Sequence, residues 1–344
     1  MKKIGICGNF ALGKEAKGGQ TIKTRIIKKK LEEIYGANEI AIIDTEGWKA
    51  NPFKLLLMCF KLVKNCENII IIPAHNGVRA FVPLFVILCG LFNRKLHYIV
   101  VGAWLVNLLE GKKILLNFIK KIDIIYVQTQ TFQKKLNEIS VNNVEIMENF
   151  KMIPPIDLQK VAPLNHRIKK LCIFSRINEK KGIGEAIEVV RRINEIDPAV
   201  TLDIYGPIDP IYKKELEKLI ISNKNFVQYK GTVEYNDIIP ILSQYYLLLF
   251  PTKFYTEGFP GTILDAYLSG LPVVASKWES WEDIITMGST GYVYEFNVRE
   301  DFYNKLLYLV KNIRVVEEMK INCIEEGKKY HADLVINKLI KNFK

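Results

Sequence analysis

The sequence predicts an α/β protein made of two doubly wound domains, each a parallel sheet with helices on both faces. Three observations carry that expectation. The chain has 344 residues, more than one hydrophobic core usually serves. Short β-rich apolar runs alternate with amphipathic segments, the rhythm of strand–helix–strand units with right-handed crossovers. Near the middle, "KMIPPIDLQKVAPLNHRI" (151–168) has three prolines and no sustained period, so a linker is expected there.

In the first half the strand candidates are "KKIGICG", "EIAIIDT", "NIIIIPAHN", "LHYIVVG", "IDIIYVQT" and "VEIMENF". Between the first two, "GQTIKTRIIKKKLEEIYG" sets Ile22, Ile26, Ile27 and Leu31 on one stripe opposite lysine and arginine. A surface helix covering the sheet is expected there. After the linker the rhythm restarts with "KLCIFSR", "AVTLDIYG", "FVQYKG", "YYLLLFPT", "LPVVAS" and "GYVYEF", separated by helices such as "GIGEAIEVVRRINEI" and "IYKKELEKLII".

Composition narrows the setting. At 49% hydrophobic the chain can bury two cores. Cysteines at 7, 59, 66, 89, 172 and 323 form no CxxC pair and have no histidines at metal-ligand spacing, so they read as core thiols in a reducing compartment. The start, "MKKIGICGNFALGKEAKGG", breaks into Gly, Asn and Lys before a secretory apolar stretch forms. No apolar run reaches the ~18 to 20 residues of a spanning helix, so a cytoplasmic protein is expected. Residues 1–150 hold 22 Lys and Arg against 12 Asp and Glu, net +10; the rest holds 27 against 25, net +2. That asymmetry fits either a first half that meets something anionic or solvated helix faces in a lysine-rich chain. A nucleic-acid role is set aside, because no basic and aromatic stripe or known module accompanies the charge.

Ligands of doubly wound sheets bind beyond the C-terminal ends of strands, so chemistry is expected in the loops that follow them. "GNFALGK" (Gly8 to Lys14) matches the start of a phosphate-cradling GxxxxGK loop, but Glu15 stands where Ser or Thr must ligate magnesium. Gly18 and Gly19, just before the helix, are a better phosphate approach, since residues without Cβ let an anion near a helix N-terminus. "FSRINEKKGIGEAI" offers Arg176 and Lys181 around a turn ending at Gly182, a guanidinium fork and a mobile ammonium suited to a pyrophosphate. In "FPTKFYTEGFPGTILDAYLSGLPVVAS" (250–276), Glu257 lies in a loop, and Asp265 falls in the first turns of a helix close to buried surface.

Taken in order, the Gly pair, "SRINEKKG", "EGFPGTILDA" and "GSTGYVY" resemble the GT-B retaining glycosyltransferases of family four, over nearly the whole chain. The resemblance implies two Rossmann-like doubly wound domains facing across a cleft. Residues 1–155, completed by a C-terminal helix at about 330–344, form the acceptor domain, and residues 165–329 the nucleotide-sugar domain. It implies that Arg176 and Lys181 hold the donor pyrophosphate, that Glu257 sits beside the donor sugar, and that the backbone of Phe259, Pro260, Gly261 and Thr262 meets sugar hydroxyls and phosphate. Asp265 takes the place of the family's second glutamate, which accepts from ribose hydroxyls, and is one methylene shorter. Gly18 and Gly19 correspond to the loop that approaches the diphosphate, and His75 in "IIPAHNG" to a histidine of the cleft. Where many members have Gly-Gly, this chain has "SKWESWEDII", with Lys277, Trp278 and Trp281.

The implied reaction transfers a sugar from a nucleotide diphosphate with retention, the leaving diphosphate being stabilised by cations and backbone dipoles. No DxD stands at a strand end, so no metal and no cofactor is expected; the nucleotide sugar is a substrate. A glycosidase pair is the alternative for Glu257 and Asp265, and the basic clamp argues against it. "NPFKLLLMCFKLVKN" (51–65) and "KKILLNFIKK" (112–121) have the composition of helices that lie on anionic bilayers. The expected partners are thus a nucleotide sugar, a glycan or polyprenyl-diphosphate-linked acceptor, and an anionic membrane surface on the cytoplasmic side. The alternative function is a catalytically silent partner subunit, for which Asp265 and the altered "KWESWED" loop speak.

Overall fold

The computed structural model describes residues 1–14, 18–157 and 167–344. The chain divides into two compact units, Met1–Met152 with Ala332–Lys344, and Ile153–His331. Most of the expected linker, residues 158–166, lies outside the described residues, as does Glu15.

The first unit runs β1 (Lys2–Gly8), α1 (Gly19–Tyr35), β2 (Ile40–Asp44), α2 (Pro52–Asn65), β3 (Cys66–Ile72), α3 (Val78–Phe92), β4 (Lys95–Ile99), α4 (Leu105–Leu109), α5 (Lys113–Ile119), β5 (Ile124–Val127), α6 (Gln130–Glu138) and β6 (Val144–Ile146). Its six strands, all parallel, are ordered β2-β1-β3-β4-β5-β6. Near-continuous apolar strands are what a sheet covered on both faces requires. In β3, Ile69 and Ile71 join one core with α2 and α3, while Ile70 and Ile72 join the opposite core with α1.

The second unit contains β7 (Lys169–Phe174), α7 (Ile183–Asn194), β8 (Val200–Tyr205), α8 (Lys213–Ser222), β9 (Val227–Gly231), α9 (Ile238–Leu242), β10 (Leu247–Phe250), α10 (Gly261–Leu268), β11 (Val273–Ser276), β12 (Gly291–Tyr294), α11 (Arg299–Lys311) and α12 (Ile313–Lys328). Its parallel sheet is ordered β12-β11-β10-β7-β8-β9. Two cores again flank it, Leu247 and Leu249 facing one and Leu248 and Phe250 the other. Helix α13 (Ala332–Ile340) then returns to the first unit, where Val335, Ile336 and Leu339 are buried with Ile4 and Ile6.

All six cysteines are free and buried. The expected solvated face of α1 fails at two positions. Lys23 is only 4% exposed, with its ammonium 5.1 Å from the Phe150 ring centre, and burial pushes it down to about 7. Arg25 bends onto the loop after β1, donating to the carbonyls of Phe10 at 2.7 Å, Ala11 at 2.6 Å and Lys14 at 2.8 Å. For Lys23 the period itself is the reason, since it stands four residues before Ile27 on the buried side of the helix; Arg25 lies off that side and is drawn in by the loop carbonyls.

Candidate functional site

In an open parallel sheet the crevice for a ligand lies where the strand order reverses, because neighbouring loops there diverge to opposite faces. In the second unit that point falls between β7 and β10, which pair directly. The loop after β7 carries Arg176 and Lys181, and the loop after β10 carries Glu257. The Lys181 ammonium forms an ion pair with Glu257 Oε1, both side chains being largely buried. Lys181 Nζ also lies 5.5 Å from the Phe250 ring centre. Thr252 Oγ1, which accepts from Phe254 N, stands 3.4 Å from Glu257 Oε1. Thr252 thus joins the candidate site, a member that sequence reasoning missed; its position two after β10 was the available signal. Arg176 is exposed on the same turn.

The close approach of these loops dictates Gly182. It sits at φ +65, and an added Cβ would lie 1.9 Å from the Pro251 carbonyl oxygen. Gly206 repeats the logic after β8, at φ +128 with a Cβ 1.9 Å from Ser175 O. Helix α10 begins behind this junction. Its N-cap is Pro260, which offers no capping side chain; Ile263 N turns back to Pro260 O at 3.1 Å, and an anion would find the helix start without a side-chain competitor. Phe259 is buried and packs edge-on against Tyr330 at 4.9 Å. The Thr262 hydroxyl donates to Phe174 O at 2.8 Å. Of the 259–262 segment, then, the Phe259 and Thr262 side chains are taken up by the protein itself. Asp265 is 5% exposed on the second turn of α10. In the variant loop, Trp278 is fully buried against Phe250, ring centres 5.5 Å apart, whereas Lys277 pairs with Glu295 at the surface.

The first unit has its own reversal point between β1 and β3. The GxxxxGK loop is not a phosphate cradle, because Asp44 already takes its amides: Phe10 N at 2.9 Å, Ala11 N at 3.3 Å and Leu12 N at 2.9 Å. Partial burial pushes the Asp44 carboxyl up, but these donors and Glu46 N outweigh it and hold it below the usual carboxylate range. Gly18 is the N-cap of α1 at φ +101, without a side-chain cap, and among the described residues a Cβ on Gly18 or Gly19 would meet nothing within 4 Å. These glycines are conformational or reserved for an incoming ligand, not packed. One turn in, Gln20 Nε2 donates to Ile72 O at 2.8 Å, which brings the start of α1 beside the strand end that leads to His75. The exposed His75 ring lies edge-on to Trp104 at 5.2 Å. A cavity of about 250 Å³ opens beside it, with Asn9, Gln20, Trp48 and Asn76 among its walls. Asn9 Oδ1 is buried there without a hydrogen-bond partner among the described residues.

Two six-stranded parallel sheets, each covered by helices on both faces, match the GT-B glycosyltransferase fold. The chain superposes on a crystal structure of Anabaena Alr3699/HepE in complex with UDP and glucose with a TM-score of 0.75, at 15% identity and 99% coverage of both chains. Residues 157–330 match the family of glycosyl transferases group 1, and the chain belongs to that family. It is 27% identical over 152 residues to the sulfoquinovosyl transferase SQD2 of Arabidopsis thaliana, covering 43% of this chain and 29% of that one. It is also 27% identical over 158 residues to the GtfA subunit of a UDP-N-acetylglucosamine–peptide N-acetylglucosaminyltransferase of Streptococcus agalactiae, covering 44% and 30%. The chain thus spans less than a third of the length of these two relatives.

Proposed function

We propose that this chain is a retaining glycosyltransferase that moves a sugar from a nucleotide diphosphate donor to a glycan or polyprenyl-diphosphate-linked acceptor in bacterial surface polysaccharide synthesis. The observation that carries the reading is the meeting of Lys181 and Glu257 at the reversal point of the second sheet, beside the uncapped start of α10. In this reading the second unit takes the donor and the first the acceptor, with His75 near the reacting sugar. Arg176 and Lys181 neutralise the diphosphate as it leaves, so the reaction draws its positive charge from side chains and needs no metal. The donor competes with Glu257 for the Lys181 ammonium, and Glu257, once released, accepts from the sugar's hydroxyls. Asp265 and the α10 backbone serve the ribose and phosphate end, and Gly18 and Gly19 the diphosphate. A UDP-linked sugar is the first candidate, because the structural neighbour holds UDP and glucose.

The exposed apolar side of α2, which shows Phe53, Leu56, Leu57 and Phe60 to solvent, supports a peripheral place on the inner face of an anionic membrane. Titration of UDP by calorimetry, native against Arg176→Ala, tests the donor site; a tenfold or greater loss is expected in the variant. A panel of nucleotide sugars, with the product anomer assigned by NMR, then tests transfer and retention. Absence of any nucleotide binding would favour the silent partner subunit.

A further inference from the structure

Helices α2, α3 and α5 lie side by side over one face of the first sheet, sharing a single core. Their outward side is unusual for a water-facing layer. Ile87 and Leu91 of α3 are 53 and 74% exposed, and Ile114 of α5 is 78% exposed. Between α3 and α5 runs a groove formed by two cavities, of about 510 and 560 Å³, that meet at Phe118. On α3 it follows Arg79, Pro83, Ile87 and Leu91, one face of the helix. From Arg79 to Leu91 that is a path of about 18 Å at 1.5 Å per residue, long enough for an extended hydrocarbon chain.

The ends of the groove differ. At the α3 N-terminus stand Arg79 and Lys113, both exposed and neither in an ion pair among the described residues. At the other end Arg94 is engaged, donating to Val63 O and Lys64 O at 3.2 Å, and the wall carries an acid with its exposed cation: Lys121 stands there together with Asp123, which accepts from Leu96 N at 2.7 Å. Arg79 lies four residues after His75, so the open cationic end is the one beside the candidate acceptor site. A trough walled along its length by Pro83, Ile87, Leu91, Ile114 and Phe118, with two exposed cations and, among the described residues, no carboxylate at the Arg79 end, matches an amphiphile with an anionic head and a hydrocarbon tail.

We propose that the α3–α5 groove binds the hydrocarbon chain of a phosphate-bearing lipid, with its phosphate on Arg79 and Lys113. The inference rests on the acceptor reading above and assigns that acceptor its lipid end. Neighbouring Phe53 and Leu57 of α2 extend the apolar side, and the Phe60 and Phe92 rings bridge the two helices at 5.3 Å, so such a lipid can reach the groove along a membrane surface.

The test uses the full chain and three probes: farnesyl phosphate below its micelle concentration, farnesol for the tail alone, and inorganic phosphate for the head alone. Farnesyl phosphate is expected to bind at least tenfold more tightly than either fragment. Arg79→Ala with Lys113→Ala should weaken it about tenfold, as should Ile87→Glu with Ile114→Glu, changes at exposed positions that leave folding intact. UDP affinity, measured on the same samples, should stay within twofold. Inorganic phosphate binding as tightly as farnesyl phosphate would reduce the site to a basic surface and overturn the proposal. So would farnesyl phosphate affinity indifferent to both double variants, or its absence in the native chain. If UDP binding is absent as well, the donor reading falls; if UDP binds normally and the lipid does not, only the groove assignment falls. Self-association that Ile87→Glu with Ile114→Glu abolishes, without lipid binding, would assign the face to a second copy instead.

Discussion

At the residue scale, Glu257 and Lys181 hold each other at the sheet's reversal point, and a change to either uncouples the pair. Glu257→Gln keeps the shape and removes the charge. On the proposed mechanism it should lower kcat by about 10² or more while UDP affinity holds or rises, because the competitor for the Lys181 ammonium is gone; an unchanged kcat would remove Glu257 from the chemistry. Gly182→Ala tests backbone rather than charge. The Cβ would meet Pro251 O at 1.9 Å in a left-handed conformation, so a loss of about 2 kcal/mol or more is expected by denaturant melting. Lys23 makes a pH prediction. Burial lowers it to about 7 in the folded chain, against about 10.4 in an unfolded one. Between those values the unfolded state binds the extra proton, so stability rises with pH through that window; below about 7 both states are protonated and the penalty is full and constant. Lys23→Met should therefore stabilise the first unit below pH 7 by a few kcal/mol, at about 1.4 kcal/mol for each tenfold difference in proton affinity between the two states, and flatten its slope from pH 7 to 10. Lys320, lowered to about 8 by burial, contributes a slope of the same sign, so the difference between native and variant is what is measured.

At the element scale, the exposed side of α2 is a surface that water penalises and a bilayer rewards. At about 25 cal/mol per Å² of apolar area, inserting Phe53 and Leu57 would contribute several kcal/mol, with nearby lysines adding attraction to anionic lipid. Phe53→Asp with Leu57→Asp should abolish flotation with anionic liposomes and leave the melting temperature within about 2 °C, since both side chains are exposed at 80 and 63%. Native flotation independent of anionic lipid would end the membrane part of the proposal. The elements themselves were legible because most strands are apolar runs and several end at Gly or Pro, as β3 does at Pro73, β8 at Gly206 and β10 at Pro251, so even β10 and β11, four residues each, stand out. Motifs placed Arg176, Lys181 and Glu257 on adjacent loops for the same reason. What spacing could not show is the partner each side chain takes. Asp44 occupies the amides of the GxxxxGK loop through contacts 32 to 34 residues away, Thr252 joins Glu257, and Arg25 folds back onto the carbonyls of the loop after β1. Nor does a helical stripe reveal that α2 is apolar on its outer side too, because periodicity reports which face is apolar and not which face is covered.

At the scale of the whole molecule, the chain leaves the first unit, builds the second, and returns with α13, so the two units differ in how they depend on chain ends. The first unit needs the returning segment. Val335, Ile336 and Leu339 are at most 1% exposed, and burying three such side chains contributes roughly 1.5 to 3 kcal/mol each, comparable with the ~5 to 15 kcal/mol that holds a domain folded. Polar contacts add register: Lys338 pairs with Glu148 at 2.6 Å, Asn342 Nδ2 donates to Glu145 Oε2 at 3.0 Å, and Lys344 N donates to Asn68 Oδ1 at 2.9 Å. The second unit, Ile153–His331, closes without that segment. Ending the chain at His331 should therefore strip hydrogen-exchange protection from the amides of β1, β3 and β4 while those of β7, β8 and β10 keep theirs. UDP binding, if it resides in the second unit, should survive the truncation within about threefold. Protection of β1 that persists in the truncated chain would show that α13 only covers a core already closed; loss of protection in both units together would show that the second cannot hold its fold without the first.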